Sequence, residues 1–462
     1  MNEIIYPTID LFLYDLRNGL GESQNEINRN RAFFQKKLPE SVHQSLFQKD
    51  NYFEDEYVEL LTQPNFFETS SEPYPFQGYY YPVRLGDTYG LLLDCSVNNQ
   101  IEPQPAECFK ELQAEIERRL NGQTATIGQT WMVSGWLPQS EAKSTEDIAK
   151  ACYKALMPDS KWEQDIEGQG QFLGATIFEL SRYRLVMPEK TTSPVTIQSI
   201  QENQHVIIIL YPDRATAEKS ARFYSDWLRL FEYRHKILWA YGQSRLLKQT
   251  IKNYFTTIEE DRQSINPKQS QEREFEKFRQ TLIRVQATIN NYTIDLNRLD
   301  FQNRTIDINL SNYKKRIERI EEKVGNKLEF LEKFTKLVTD KYQLQITKDS
   351  ENLERGMKLL ENTISAVRSR VEVAKAERER NFQDAIAILG VGWSVASFVP
   401  SPDKLSETLL RSQPAFSAPW IKPVIPMAYK LSVALVAATL AWLLIRLWPG
   451  LVKLIPLIPK KK

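Results

Sequence analysis

Between Pro267 and Pro400 the chain has no proline and only four glycines, Gly325, Gly356, Gly390 and Gly392. Proline breaks helices and glycine weakens them, so so long a stretch without them commits the chain to helix. Apolar residues fall at Phe275, Phe278, Leu282, Val285, Ile289, Tyr292, Leu296 and Leu299, in alternating steps of three and four, which is a heptad seam. Asn303 interrupts it, and Ile306, Leu310, Tyr313, Ile317, Ile320 and Val324 continue the register. The step from Val324 to Leu328 is a second four in a row and reads as a stutter. Before Pro267, Ala215 to about Asp261 reads as another long helix. Asp349 or Ser350 is placed to cap a last one, which carries Leu353, Met357, Leu360, Ile364, Val367, Val371 and Ala374. Such a seam can pair within one chain, as an antiparallel hairpin, or between chains. The expectation is intrachain packing before Ser350 and interchain packing of the final rod.

That rod runs without a break into an apolar run, Ala385 to Val399, and a second follows from Leu431 to Ile445. A bilayer span needs about 20 residues, so each run must recruit its flanks. Pro400 to Pro402 extend the first, and the second begins near Met427 with Lys430 reaching toward the headgroups. The pair reads as a transmembrane hairpin. Arg368, Arg370, Lys375, Arg378 and Arg380 precede it, and Arg446, Lys453 and Lys460–Lys462 follow it, while the loop is nearly balanced. The excess of basic residues places both termini in the cytoplasm of a two-span, multi-pass cell-membrane protein. Trp420, Trp442 and Trp448 suit interfacial anchoring. A buried hairpin in a soluble core is the alternative, but Trp448-Pro449-Gly450 and the basic tail are poor core material.

Ahead of the helices, residues 1–212 read as a mixed α/β domain. Tyr79–Arg84 and Tyr89–Cys95 are β-rich runs around Leu85-Gly86-Asp87-Thr88, a hairpin. Phe109–Leu120 has helical spacing, Ile127–Leu137 and Ala175–Met187 are strand-like, and His205–Tyr211 is a compact apolar run ended by Pro212. The first seventy residues, aromatic and acidic, read as helices and loops. The N-terminus lacks the basic and apolar regions of a signal peptide. Cys95, Cys108 and Cys152 are far apart and read as reduced structural thiols. A net charge of +1 gives no global field for nucleic acid.

No catalytic constellation is visible, and no enzyme is expected. His43, His205 and His235 have no Cys or His at metal-ligand spacing, and His205 reads as a satisfied structural residue. Gly168, Gly170 and Gly174 form GxGxxxG rather than a dinucleotide fingerprint and read as a loop. Glu54-Asp55-Glu56 and Glu259-Glu260-Asp261 read as solvated faces, with a divalent-cation site as the sharper alternative. In the first span Gln383, Ala387, Gly390, Ser394, Ser397 and Ser401 form a stripe of small or weakly polar residues. Such a stripe either lets helices approach closely in lipid or lines a water-filled path. On the second reading Asp384, Ala387, Gly390, Ser394 and Ser397 are the pore-lining candidates, with Asp384 concentrating cations at the mouth of a ring of identical chains.

The order of these parts resembles the CorA-like family of divalent-cation channels across most of the chain. The family's Gly-Met-Asn signature is absent, and the chain reads Phe398-Val399-Pro400-Ser401-Pro402 there, so no selectivity residue can be carried over. The resemblance implies a homopentamer and divalent-cation conduction gated by the cytoplasmic domain. The expected class is α+β, with a cytoplasmic α/β domain (1–212), long antiparallel coiled-coil helices (213–349) and a stalk helix (350–384). Transmembrane helix 1 (385–402), an outer loop (403–426), transmembrane helix 2 (427–448) and a basic tail (449–462) complete it. No cofactor is expected beyond a divalent cation. The expected partners are the lipid bilayer and further copies of the chain, not nucleic acid. The second function class is a membrane-anchored sensor, scaffold or membrane-permeabilising effector without selective transport.

Overall fold

Glu3–Leu16 (β1) is the organising element of the fold. Its core, Ile9-Asp10-Leu11-Phe12-Leu13-Tyr14, is buried on both faces, as a central strand covered by two layers must be. The computed structural model describes residues 3–19, 21–48, 56–70, 74–138, 144–186, 196–264 and 272–375. The reading of the first seventy residues as helices and loops is therefore corrected. A helix, Gln24–Gln35 (α1), capped by Ser23, follows β1. Strands Tyr57–Glu59 (β2) and Asn65–Thr69 (β3) come next.

The expected hairpin is Phe76–Leu85 (β4) with Thr88–Val97 (β5), and Pro103–Pro105 (β6) pairs with the start of β1. Helix Cys108–Leu120 (α2), strand Gly128–Trp136 (β7) and helices Thr145–Leu156 (α3) and Trp162–Asp165 (α4) follow. Ile166–Phe172 (β8) and Ala175–Leu185 (β9) form a second hairpin. Helix Ile197–Ile200 (α5) leads into Gln201–Tyr211 (β10). The sheet runs β2-β4-β5-β1-β7-β10-β9-β8, with β3 on β4 and β6 on β1. Among these pairs β7–β10 is parallel and the others are antiparallel.

Gly168 and Gly170 lie in strand β8, not in a loop. A methyl group at either would come within 2.8 Å of the Phe330 side chain, so glycine here lets that ring lie against the strand. Gly174, at φ +88°, turns the hairpin.

Helices cover both faces. On one, Ile9, Leu11 and Leu13 meet Phe34 of α1, Phe109 and Ile116 of α2, and Ile148 of α3. On the other, Phe12, Leu92, Met132 and Ile207 meet helices that follow the sheet in the chain. These are Arg214–Ser220 (α6), then, after a 3₁₀ turn at Ala221–Phe223, Tyr224–Ser264 (α7) and Glu272–Val324 (α8). The long helix expected from Ala215 is thus interrupted near its start. Glu329–Leu337 (α9), a π segment Val338–Gln343 and Leu344–Lys375 (α10) complete the described chain.

The expected stutter is a helix end. Gly325 adopts φ +78° and donates its N–H to the Glu321 carbonyl at 2.8 Å, which stops α8 at Val324. Nor does Asp349 cap a helix: it lies inside α10 and accepts from Arg245 at 2.6 Å and Lys248 at 2.7 Å.

Two units group the chain: Met1–Asn253 with Ile294–Glu354, and Tyr254–Thr293 with the chain from Arg355. In the first, seam residues Leu299, Ile306, Tyr313 and Ile320 join the core on the sheet. In the second, Leu282, Val285, Ile289 and Tyr292 are buried, and Leu360 is covered within the single chain. The fold is α+β, with an N-terminal sheet domain and long helices. Among the described residues no helix is long and apolar enough to cross a membrane. The two apolar runs lie outside the described residues.

Candidate functional site

On the face that α7 covers, side chains of adjacent strands stand in rows. One row is apolar: Phe12 of β1 faces Leu92 of β5. The next places Asp10 directly opposite Asp94, and the one after it places Thr8 opposite both Ser96 and Ser134. The sheet face therefore grades from apolar to polar toward one end, and a pocket of about 490 Å³ opens there.

Directly opposed residues on antiparallel strands hold their Cβ atoms about 4.5–5.5 Å apart, so the two carboxyl groups are in mutual contact. Asp10 is fully buried and Asp94 is 8% exposed, as part of the pocket wall. Asp10 Oδ2 accepts from the Tyr224 hydroxyl at 2.7 Å. Among the described residues its Oδ1 has no N–H or O–H donor apart from the Asp94 carboxyl. Burial pushes Asp10 up to about 7, against the lowering effects of its hydrogen bonds to Tyr224 and Asp94. Burial, then the Asp10 charge, pushes Asp94 well above the carboxylate range. Two carboxyls this close and this dry hold one proton between them near neutral pH, with Asp94 donating to Asp10.

The pocket walls are aromatic. Tyr6 stacks on Trp136 with ring centroids 5.4 Å apart, and its hydroxyl accepts from Gln77 Nε2 at 2.8 Å. Tyr6 stands at φ +52°, where a non-glycine residue is strained, and the β1–β7 register shifts between Ile5 and Thr8. Pro7, with no N–H to pair, suits that bulge. Tyr79 and Tyr224 complete the wall near the pair, and Phe66 of β3 stands 71% exposed at the mouth. Arg214 and Glu218 of α6, joined by a 2.8 Å ion pair, form part of the rim.

A second polar cluster is sealed inside the same unit. His205 contacts Glu179 at 3.2 Å through Nε2 and Thr130 at 2.8 Å through Nδ1. Thr130 also contacts His235 Nε2 at 2.7 Å, and Asn203 Nδ2 donates to His235 Nδ1 at 3.2 Å. Arg234 holds Glu179 at 3.1 Å. Burial drives both histidines well below their ordinary range, so both are neutral. One proton order satisfies every contact: Asn203 donates to His235, His235 to Thr130, Thr130 to His205, and His205 to Glu179. The cluster is structural, as expected for His205.

The remaining sequence candidates fall elsewhere. Asp384, Ala387, Gly390, Ser394 and Ser397, with Trp420, Trp442 and Trp448, lie outside the described residues. Asp261 pairs with Arg284 at 2.8 Å, and no cluster of His, Cys, Asp and Glu among the described residues has the makings of a metal site. Cys95, Cys108 and Cys152 are buried, free thiols, and burial pushes Cys108 up to about 12. Sequence reasoning missed Asp10 and Asp94. The signal was a single carboxylate inside an apolar run, Ile9-Asp10-Leu11 and Leu93-Asp94-Cys95.

No family model matches the chain, and neither a curated protein nor a solved structure matches it significantly.

Proposed function

We propose that this chain is a membrane-anchored sensor whose α/β domain binds a small ligand in the Asp10–Asp94 pocket. The observation that carries the reading is a fully buried carboxyl, Asp10, whose Oδ1 has no partner among the described residues other than the Asp94 carboxyl, beside an aromatic-walled cavity of about 490 Å³. Ligand pockets are concave and mostly apolar, with a few convergent polar groups and displaced acidities. A ligand there bears on Tyr224, the first residue of α7, through its hydrogen bond to Asp10. The apolar runs 385–399 and 431–445 hold the protein in the bilayer as a homo-oligomer with both termini cytoplasmic. Binding, not turnover, is the proposed role of the pocket. Cation conduction by a CorA-like homo-oligomer is the second reading. It draws on the small-residue stripe from Gln383 to Ser401 and the order of parts along the sequence.

The test is a thermal-shift screen of small polar compounds against the full chain in detergent, followed by hydrogen exchange. A ligand should raise Tm in the wild type but not in Ser134→Phe, which fills the cavity, and should protect residues 224–240. Compounds that bind both proteins equally, or leave that segment unchanged, would overturn the sensor reading.

A further inference from the structure

Building on the sensor reading, we infer that the ligand is an organic cation, with an ammonium or amidinium head at Asp94 and a flat or apolar body against Tyr6 and Trp136. Charge is the first support. Asp94, Glu68 and Glu218 line the cavity, with Asp10 behind Asp94, whereas Arg214 is the one cationic side chain lining it among the described residues. Arg214 is already held by Glu218 at 2.8 Å. An anion would meet three carboxylates at the cavity wall and one arginine, whose Nε is already paired with Glu218.

The polar groups point the same way. Thr8 donates to Ser96 at 3.1 Å, and Gln77 donates to Tyr6, so much of the wall's donor capacity is spent inside the protein. Beyond Tyr224 and the shared proton, the carboxyl pair has no donor or cation among the described residues, and an amidinium or ammonium group brings N–H donors together with positive charge. The Tyr6–Trp136 stack, with Tyr79 and Tyr224 nearby, offers π faces, which attract cations and flat rings alike. A neutral sugar would use the aromatic faces and can donate from its hydroxyls, but it brings no positive charge to set against the carboxyls.

Binding is coupled to a proton. The pair holds one proton near neutral pH, and a cation at Asp94 favours the doubly ionised pair, so the proton leaves to solvent as the ligand enters. The groups facing the pair are Tyr224 from α7, Tyr79 from β4 and Tyr211 from β10, all neutral hydroxyls held above their ordinary range by burial. The charged groups at the rim are Glu68 on β3 and the Arg214–Glu218 pair on α6. The three hydroxyls stay protonated between pH 6 and 8.

The probe is benzamidine, with benzamide as its neutral analogue and benzoate as its anionic one. Calorimetry on the full chain in detergent, at pH 6, 7 and 8 and in two buffers of different ionisation heat, reads affinity and proton release. Benzamidine should bind at least tenfold more tightly than either analogue, and its affinity should rise by up to about tenfold per pH unit with release of up to one proton. Asp94→Asn leaves buried Asp10 as the one carboxyl of the pair, still raised by burial, so binding should weaken but persist and still release no more than one proton. The double variant Asp10→Asn/Asp94→Asn should not bind the probe, while its circular dichroism and Tm show that it is folded. Equal affinity for benzamidine and benzamide, a flat pH profile in the wild type, or binding that survives the double variant would overturn the inference. Neutral compounds that bind only while Ser134 is unfilled would end the cation reading and leave the sensor reading standing. If Ser134→Phe excludes no compound of any charge, both fall.

Discussion

Replacing Thr130 by valine keeps the side chain's shape and removes one oxygen, the bridge between two buried histidines. In the wild type that oxygen donates to His205 Nδ1 at 2.8 Å and accepts from His235 Nε2 at 2.7 Å. Thr130, His205 and His235 are at most 1% exposed, so water cannot substitute for it. In Thr130→Val one buried acceptor and one buried donor are orphaned. Each orphan costs about 1–3 kcal/mol, which puts the loss at roughly 2–6 kcal/mol. Thr130→Ser keeps the hydroxyl and removes one methyl group, at a cost of about 1 kcal/mol. Urea unfolding of the full chain in detergent, followed by tryptophan fluorescence, separates the two. A serine variant as damaged as the valine variant, or a valine variant within 1 kcal/mol of wild type, would show that the proton order through Thr130 is wrong.

Three further outcomes are expected. Lys37→Met leaves Asp15 buried without the cation that stands 2.9 Å away, and breaking such a pair costs about 3–5 kcal/mol, read as a fall in urea midpoint. Gly128→Ala places a methyl group 2.5 Å from His235 Nδ1, an overpacking that costs about 1–3 kcal/mol and is additive with little of the Thr130→Val loss, because both act on His235. A chain ending at Lys375 should be recovered in the soluble fraction while the full chain stays with carbonate-washed membranes; a truncated chain that stays with the membranes would remove the anchor from residues 385–445.

Periodicity carried most of the helical architecture. The seam positions Leu299, Ile306, Leu310, Tyr313, Ile317 and Ile320 are all buried, because a three-four repeat specifies which stripe of a helix faces inward. The β4–β5 hairpin was legible because its turn residues separate two β-rich runs. β1 was not, because Tyr6-Pro7 and the carboxylates Asp10 and Asp15 break the alternation that marks a strand. Those same residues make the bulge, the pocket and the buried pair, so the features that hid the strand are the ones that give it a site. The partnership of Asp10 with Asp94 depends on strand register, which no local pattern in either segment encodes.

The shared proton of Asp10 and Asp94 is tested most directly by the pH dependence of stability. Both groups have folded-state affinities for the proton raised above their unfolded values, with Asp10 at about 7 against 3.8. Their favourable contribution is therefore complete below about pH 4 and is lost as pH rises toward and through 7, at about 1.4 kcal/mol per pH unit for each proton the folded state retains. Urea unfolding of wild type and of Asp10→Asn/Asp94→Asn at each pH from 5 to 8 isolates this effect, since both proteins keep His205 and His235. Relative to the double variant, the wild type should lose about 1.4 kcal/mol or more for each unit from pH 5 to pH 7. Parallel profiles would mean that the two carboxyls titrate like exposed ones, and the site built on them would not exist.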